Sequence, residues 1–329
     1  MNILVTGAAG YIGATFAFQC IKQGHEVIGI DNFINSSKKN INVLIDVASD
    51  NFNFIEYDLS CDCEDLYKQL KDHKIDTFVH FAGLKSVEES ESNTLKYWEN
   101  NLYSTINLVK LMKKLEVFNL IFSSSATVYG ANEKQPLEEY DHISPISCYG
   151  STKISNEYFL ADVVKDSQIK VISLRYFNPV GAHKEMRICE EIDQSPNNLM
   201  PRIIRVAKGI DEKIMVYGND YETKDGTGER DYIHIEDLVN AHISSIQKIN
   251  DLNGFNVFNI GTGKKHTVVE LIEIFKRVNN VDVPYEFAQR REGDVAICYA
   301  NSQKAKKILN WEANCSLEKM CKDAWDAIK

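Results

Sequence analysis

Tyr149 and Lys153 lie four residues apart in a stretch with helical spacing, so their side chains share one helix face. A phenol with a pKa of about 10 is a poor base at neutral pH. An ammonium beside it stabilises the phenolate, and any further positive charge adds to that. Lowering the pKa by about three units takes roughly 4 kcal/mol of differential interaction. A close charge in a partly buried site supplies that much. Alone, the pair reads equally well as an exposed Tyr–Lys couple. Ser123–Ser125, at the end of the apolar run Phe118–Phe122, add hydroxyls. Ser125 can donate to, or share a proton with, an oxygen that Tyr149 deprotonates. The chemistry suggested is proton removal from an alcohol.

That chemistry needs a partner for the hydride, and the first residues supply a place for one. Ile3-Leu-Val5 is a short buried strand, and Gly7, Gly10 and Gly13 follow at G-x-x-G-x-x-G spacing before a helix over Tyr11–Gln23. In such a turn the first glycine takes positive φ. The second lets backbone approach a pyrophosphate, and the third lets helix pack on strand. The helix N-terminus favours the anion. Three glycines alone also fit a turn with no ligand. A second strand, Glu26–Ile30, ends in Asp31, close to the spacing of about 20 residues at which a carboxylate meets a ribose 2′-hydroxyl and repels a 2′-phosphate. The expected cofactor is NAD rather than NADP, and its cationic nicotinamide ring is the further charge that favours a Tyr149 phenolate.

The elements that position these groups alternate. Strands are expected at Phe52–Tyr57, Thr77–Phe81, Phe118–Phe122 and Val171–Leu174. Helices are expected to about Ser49, over Asp62–His73, about Asn93–Leu115 and about Tyr149–Lys165. This alternation predicts an α/β fold, a doubly wound parallel (Rossmann) sheet with right-handed crossovers. Ligands bind outside the carboxyl ends of such strands, where Gly7, Asp31, Ala82-Gly83 and Ser123–Ser125 fall. Regularity drops after Asn178-Pro179, which predicts an NAD domain over residues 1–178 and a smaller α/β substrate domain over 179–329. There, elements are expected near Met200–Gly209, Ile214–Tyr217, Ile235–Ile249, Asn256–Ile260, Val268–Asn279, Ser302–Leu309 and Leu317–Ile328.

The 329 residues carry a net charge of −10 and no long basic run, which argues against nucleic acid as a partner. No apolar stretch reaches the ~18 residues of a membrane span, and no signal peptide is expected. The eight scattered cysteines suit reduced thiols in a cytoplasmic protein. Cys61 and Cys63 lack a second ligand pair, so no metal is expected.

Taken together, the glycines, Asp31, Asp58-Leu59, Ser125 and Tyr149-x-x-x-Lys153 resemble the extended short-chain dehydrogenase/reductase family. Longer strings resemble its UDP-hexose 4-epimerases. They are Phe81-Ala-Gly-Leu-Lys85, Ser123-Ser-Ser-Ala-Thr-Val-Tyr-Gly130, Arg175-Tyr-Phe-Asn-Pro-Val-Gly-Ala-His183, Pro196-Asn-Asn-Leu-Met-Pro201, Asp225-Gly-Thr-Gly228, Arg230-Asp-Tyr-Ile-His234 and Arg290-Arg-Glu-Gly-Asp294. The resemblance implies that Tyr11, Ile12, Asp31, Asn32, Asp58, Leu59, Phe81, Ala82, Gly83, Lys85, Asn100, Tyr149, Lys153 and Phe177 line the NAD site. It implies that Ser125 and Tyr149 flank the sugar 4-hydroxyl. Asn178, Asn198, Leu199, Met215, Val216, Tyr217, Arg230 and Arg291 through Asp294 would hold UDP. Arginines suit a diphosphate and Tyr217 can stack on uracil, although Arg290 and Arg291 also fit a solvated charge pair.

Cys298 matches the family position beside the sugar C2 substituent. A side chain that small leaves room for an acetamido group, so activity on N-acetylated UDP-sugars is expected besides the plain pair. A homodimer is expected from the resemblance and from base rates. The loop Lys184–Ser195 departs from the family in lacking its usual prolines and glycines. Two other readings stand beside this one. A dehydratase of the same superfamily would carry a Thr-Asp-Glu segment where this chain has Ser125-Ala126-Thr127. A catalytically silent NAD-binding regulatory protein would have no need of Tyr149, Lys153 and Ser125.

Overall fold

The computed structural model describes residues 1–48, 50–186, 188–190, 192, 198–291 and 293–329. Most of the loop Lys184–Ser195 is described, but residues 187, 191 and 193–195 lie outside the described residues, as do Ser49, Pro196, Asn197 and Glu292.

The first half alternates strand and helix as the pattern predicts. The order is β1 (Asn2–Thr6), α1 (Tyr11–Lys22), β2 (Glu26–Asp31), α2 (Lys38–Ala48), β3 (Phe52–Glu56), α3 (Glu64–Leu70), β4 (Thr77–His80), α4 (Val87–Ser92), α5 (Thr94–Lys114), β5 (Asn119–Ser125), α6 (Cys148–Lys165) and β6 (Lys170–Tyr176). Two elements differ from expectation. Helix α4 is not among the expected elements; Ser86 caps it by accepting from the Glu89 N–H, a local bond that starts a helix where apolar periodicity is absent. The three serines extend β5 instead of following it, so Ser123 and Ser125 share one face and Ser124 the other.

Beyond β6 come β7 (Asn178–Val180), α7 (Leu199–Ala207), β8 (Ile214–Tyr217), β9 (Glu229–Arg230), β10 (Tyr232–His234), α8 (Ile235–Lys248), β11 (Phe255–Ile260), β12 (His266–Thr267), α9 (Val268–Asn279), β13 (Tyr285–Ala288), β14 (Ile297–Cys298), α10 (Gln303–Leu309) and α11 (Leu317–Asp326).

One sheet has seven strands in the order β11-β6-β5-β4-β1-β2-β3. The pairs β1–β2, β1–β4, β2–β3 and β4–β5 run parallel. Thr6 is level with Ile30 and His80, and His80 with Phe122, so the carboxyl ends of four strands align. Leu4, Phe78, Leu120, Phe122 and Val171 anchor a core below them with Leu108 and Met112 of α5. A second core gathers Ile203, Ile214, Val216, Leu271, Phe275 and Met320.

The chain forms two compact units, and each is discontinuous. The first is Met1–Val128, Pro145–Arg175 and Ala241–Phe258; the second is Tyr129–Ser144, Tyr176–Asn240 and Asn259–Lys329. The expected cut near Asn178 falls close to one passage between them, after Arg175. A single cut does not describe the division, because β11 returns to pair beside β6.

Candidate active site

In the first unit the glycine turn has the geometry of a phosphate cradle. Gly7 takes φ +69°, where an L side chain is strained. A Cβ on Gly13 would lie 2.1 Å from the Gly7 carbonyl oxygen, and one on Gly7 2.7 Å from the Ala82 nitrogen. Helix α1 starts with no side-chain cap and no acid in its first turn, an arrangement that leaves its N–H groups to an anion. Asp31, at the end of β2, accepts from the Ala9 N–H at 3.0 Å, the Phe33 N–H at 2.8 Å and the Ser36 hydroxyl at 2.9 Å. A carboxylate has about four acceptor sites, so room for a ribose hydroxyl remains. Asn32 bonds Asp58. These features fit a dinucleotide.

The remaining residues expected at this cofactor separate. Phe81 stacks its ring 4.7 Å from His242 and 5.4 Å from Phe16. Leu59 is in the core, so only its backbone is available to a ligand. Tyr11 is buried, Ile12 and Asn100 are half-buried, and Lys85 is exposed. Phe177 is buried in the second unit. A Cβ on Gly83 would stand 3.2 Å from Asn101 Oδ1 and 3.8 Å from Lys153 Nζ, which sets the Ala82-Gly83 turn beside α6.

Helix α6 carries Tyr149 and Lys153, one turn apart. Lys153 is buried and its Nζ donates to the Ser123 carbonyl at 2.8 Å, with the ring centroid of Tyr149 5.8 Å away. Burial pushes the ammonium down to about 8, against Glu157, which raises it. Tyr149 does not follow the sequence argument. Burial pushes its phenol up to about 12, opposed by the Ser125 hydrogen bond. Desolvation of a phenolate outweighs a lysine whose charge is aimed at a carbonyl. Among the protein's own groups, the Ser125 hydrogen bond is what lowers this phenol.

Ser125 is held by a residue to which the sequence assigns no role. The Thr127 N–H and hydroxyl donate to Ser125 Oγ at 3.2 and 3.0 Å, leaving the Ser125 proton for the Tyr149 oxygen. A buried network beneath also escapes the sequence pattern. Thr6 Oγ1 and His80 Nδ1 are 2.7 Å apart and His80 Nε2 is 3.2 Å from Thr105 Oγ1. Asn101 Nδ2 donates to Thr152 at 3.0 Å and Asn101 Oδ1 accepts from the Leu84 N–H at 2.8 Å. The signal for it is polar residues at buried helix positions, which periodicity alone does not rank.

The second unit holds the residues expected at the nucleotide. Strand β8 alternates, with Ile214 and Val216 buried, Met215 exposed and Tyr217 half-buried, so Val216 can offer a ligand only backbone. The Arg291 guanidinium carbon lies 3.9 Å over the Tyr217 ring. Its neighbour Arg290 pairs with Asp220 at 2.7 Å and covers Tyr221 at 4.0 Å. Adjacent arginines thus divide, Arg290 to Asp220 and Tyr221 and Arg291 to Tyr217. Arg230 lies 3.5 Å from Asp294 and level with Cys298 on the neighbouring strand. Burial pushes the Cys298 thiol up to about 11. Asn198 stands at the N-cap position of α7 without a side-chain capping bond, with Leu199 the first helical residue, and its Nδ2 donates to Glu190 at 2.6 Å. Asn178 is exposed at the start of β7.

Among the described residues one group has metal-ligand proximity: His234, Glu236 and Cys315, within 4.8 Å. The Lys319 ammonium already donates to Glu236 at 2.8 Å, and His234 Nδ1 accepts the Glu236 N–H. Lysine fills the cation's role there.

A family profile described as GDP-mannose 4,6 dehydratase matches residues 4–324. UDP-glucose 4-epimerase of Bacillus subtilis is 44% identical over 326 residues, which is 99% of this chain and 96% of that one. The chain belongs to the UDP-glucose 4-epimerase family. A solved UDP-glucose 4-epimerase from Stenotrophomonas maltophila, with bound NAD and formylated UDP-arabinopyranose, superposes with a TM-score of 0.96 at 39% identity, covering 99% of this chain and 97% of that one. The UDP-Glc/GlcNAc 4-epimerase of Campylobacter jejuni gives 0.86 at 36% identity, covering 99% and 98%. For a member of this epimerase family, the seven-stranded sheet and its glycine turn are the fold expected. Among the described residues no helix is long and apolar enough to cross a membrane.

Proposed function

We propose that the protein interconverts UDP-galactose and UDP-glucose by inverting C4 through a transient 4-keto sugar, with NAD resident. One observation carries this reading: Ser125, Tyr149 and Lys153 converge in the unit that holds the phosphate cradle. Held by the glycine turn and Asp31, NAD would supply a reversible hydride acceptor for C4, with zero net redox over the cycle. Tyr149 takes the 4-hydroxyl proton and later returns it. Ser125, its lone pairs engaged by Thr127, donates to that oxygen system and keeps it aligned. Lys153 stays largely protonated at neutral pH and supplies positive charge next to the phenol. Asn178, Asn198, Leu199, Met215, Val216, Tyr217, Arg230, Arg291 and Asp294 hold the UDP group, by backbone where the side chain is buried.

The test is to incubate purified protein with UDP-galactose and no added NAD, then to denature it and quantify released dinucleotide. UDP-glucose should form and NAD should be released. Protein that is empty and inactive until NADP is added would overturn the cofactor assignment, and no UDP-glucose even with NAD would overturn the reaction.

A dehydratase reading draws on the name of the matching profile. It needs an acid for the departing hydroxyl and a base for C5. The segment after β5 offers Ser125, Ala126 and Thr127, and the Thr127 hydroxyl is committed to Ser125, so the epimerase reading is favoured. Intact Ser125, Tyr149 and Lys153 likewise argue against a silent regulatory protein.

We extend the substrate range to UDP-N-acetylglucosamine and UDP-N-acetylgalactosamine, because Cys298 is small and the Campylobacter relative is named for both classes. We also propose a homodimer. Leu95 and Tyr103 on α5 and Tyr158 on α6 are exposed, and these helices pack together, which gives a two-helix apolar face suited to a second copy. The free thiols suit the reducing cytoplasm.

A further inference from the structure

The first turn of α6, which carries Tyr149, is held from outside by α4, the short helix that periodicity does not show. A helix begins with N–H groups that have no partner within it. In α6 side chains take three of them. Ser147, the N-cap, accepts from the Gly150 N–H at 3.0 Å. The other two acceptors stand on α4. Glu91 Oε1 accepts from the Cys148 N–H at 2.7 Å, and Ser90 Oγ from the Tyr149 N–H at 3.1 Å. The Ser90 hydroxyl donates to the Val87 carbonyl at 2.6 Å, so a lone pair faces Tyr149. Ser90 is fully buried, whereas Glu91 is exposed. Helix α4 is itself anchored to α5. The buried Tyr97 hydroxyl accepts from the Ser86 N–H at 3.0 Å and donates to Glu89 at 3.1 Å.

The same turn is closely packed against the residue that aligns Ser125. A Cβ on Gly150 would lie 2.9 Å from the Thr127 carbonyl oxygen, and Thr127 donates to Ser125 Oγ. The backbone beneath Tyr149 is thus fixed by α4 and by the Thr127 segment together. We propose that Ser90 and Glu91 are positioning residues, which hold the Tyr149 backbone so that its hydroxyl stays on Ser125. This rests on the reading of Tyr149 as the base. Without the Ser90 acceptor the Tyr149 N–H loses its partner. The turn then shifts to find another, and proton transfer is sensitive to displacements well below an ångström. Neither residue is among those assigned to sugar, nucleotide or cofactor, so the effect falls on the chemical step.

The test is steady-state turnover of UDP-galactose by the purified holoenzyme. Ser90→Ala should lower kcat roughly tenfold, with KM within about twofold of wild type. In a Tyr149→Phe background the same substitution should cost less than about twofold, because the hydroxyl it positions is gone. Glu91 is exposed, so its variants leave the interior intact. Glu91→Ala should lower kcat about threefold, the scale of one hydrogen bond. Glu91→Gln keeps an acceptor oxygen and should restore it. Full activity in both alanine variants overturns the proposal. So does a Ser90→Ala loss that is equal with and without the Tyr149 hydroxyl, or a Glu91→Gln variant no better than Glu91→Ala. Should Ser90→Ala not fold, the Glu91 pair decides. Full activity in Tyr149→Phe sinks the base assignment beneath this inference, and wild type that turns over no UDP-galactose sinks the epimerase reading itself.

Discussion

The two units hold their functional groups in opposite ways. In the first, Lys153 and His80 are buried and Tyr149 is desolvated, and burial is the largest influence on each, moving them to about 8, 3 and 12. In the second, Tyr217, Arg291 and Arg230 are half-buried, and hydrogen bonds, that of Arg291 foremost, lower the Tyr217 phenol against burial. Buried groups tune chemistry, because a dry site magnifies each charge. Half-exposed cations and rings hold a ligand at lower cost in stability. Substitutions in the first unit should therefore act on kcat and on folding, and those in the second on KM and on which sugar is accepted.

The sharpest way to break that contrast is Tyr149→Phe. Turnover should fall on the order of a thousandfold, within the range for a lost acid–base group, while UDP affinity measured by titration stays within about twofold of wild type. Comparable losses in kcat and in UDP affinity would mean that the units do not divide the work. Next in size is Cys298→Tyr in the second unit. Overpacking by about 1–3 kcal/mol corresponds to roughly five- to 150-fold. Turnover of UDP-N-acetylglucosamine should drop into that range, with UDP-galactose turnover nearly unchanged. Wild type without N-acetyl activity would remove Cys298 from the specificity argument.

The smallest effect concerns pH. Burial, with Lys153 second, lowers His80 from 6.5 to about 3. The unfolded chain therefore binds one more proton between those values, and stability falls as pH drops below the unfolded pKa. The limiting slope is about 1.4 kcal/mol per pH unit. Denaturant midpoints between pH 7 and pH 5 should decline for wild type and decline less for His80→Gln. Equal slopes would show that the imidazole does not drive the loss.

Local features were legible in sequence. Gly7, Gly10, Gly13 and Asp31 act through turn and strand geometry within one β-α-β unit. Tyr149 and Lys153 need only a helical turn, and Ser125 only the end of a strand. What escaped depends on distant parts of the chain. Strands β9, β12 and β14 have two residues each, too few for any period to register. Arg290 and Arg291 are indistinguishable in sequence and parted by Asp220. The raised phenol of Tyr149 reflects desolvation by the folded chain, which spacing cannot weigh against a nearby lysine. Thr127 was visible as a residue type, but its partner emerges only once β5 is placed.

The chain passes between the two units five times, and this bears on synthesis. Strand β6 gains its outer neighbour only when residues 255–260 arrive. Until then a growing chain carries β6 as a bare sheet edge, the kind of surface that recruits other strands. A gene fragment ending near residue 178 would preserve every glycine of the cradle and the whole Tyr149–Lys153 helix, and would still leave that edge open. The unit with the glycine cradle is therefore incomplete as a simple N-terminal piece; its seventh strand waits on residues translated well into the second half.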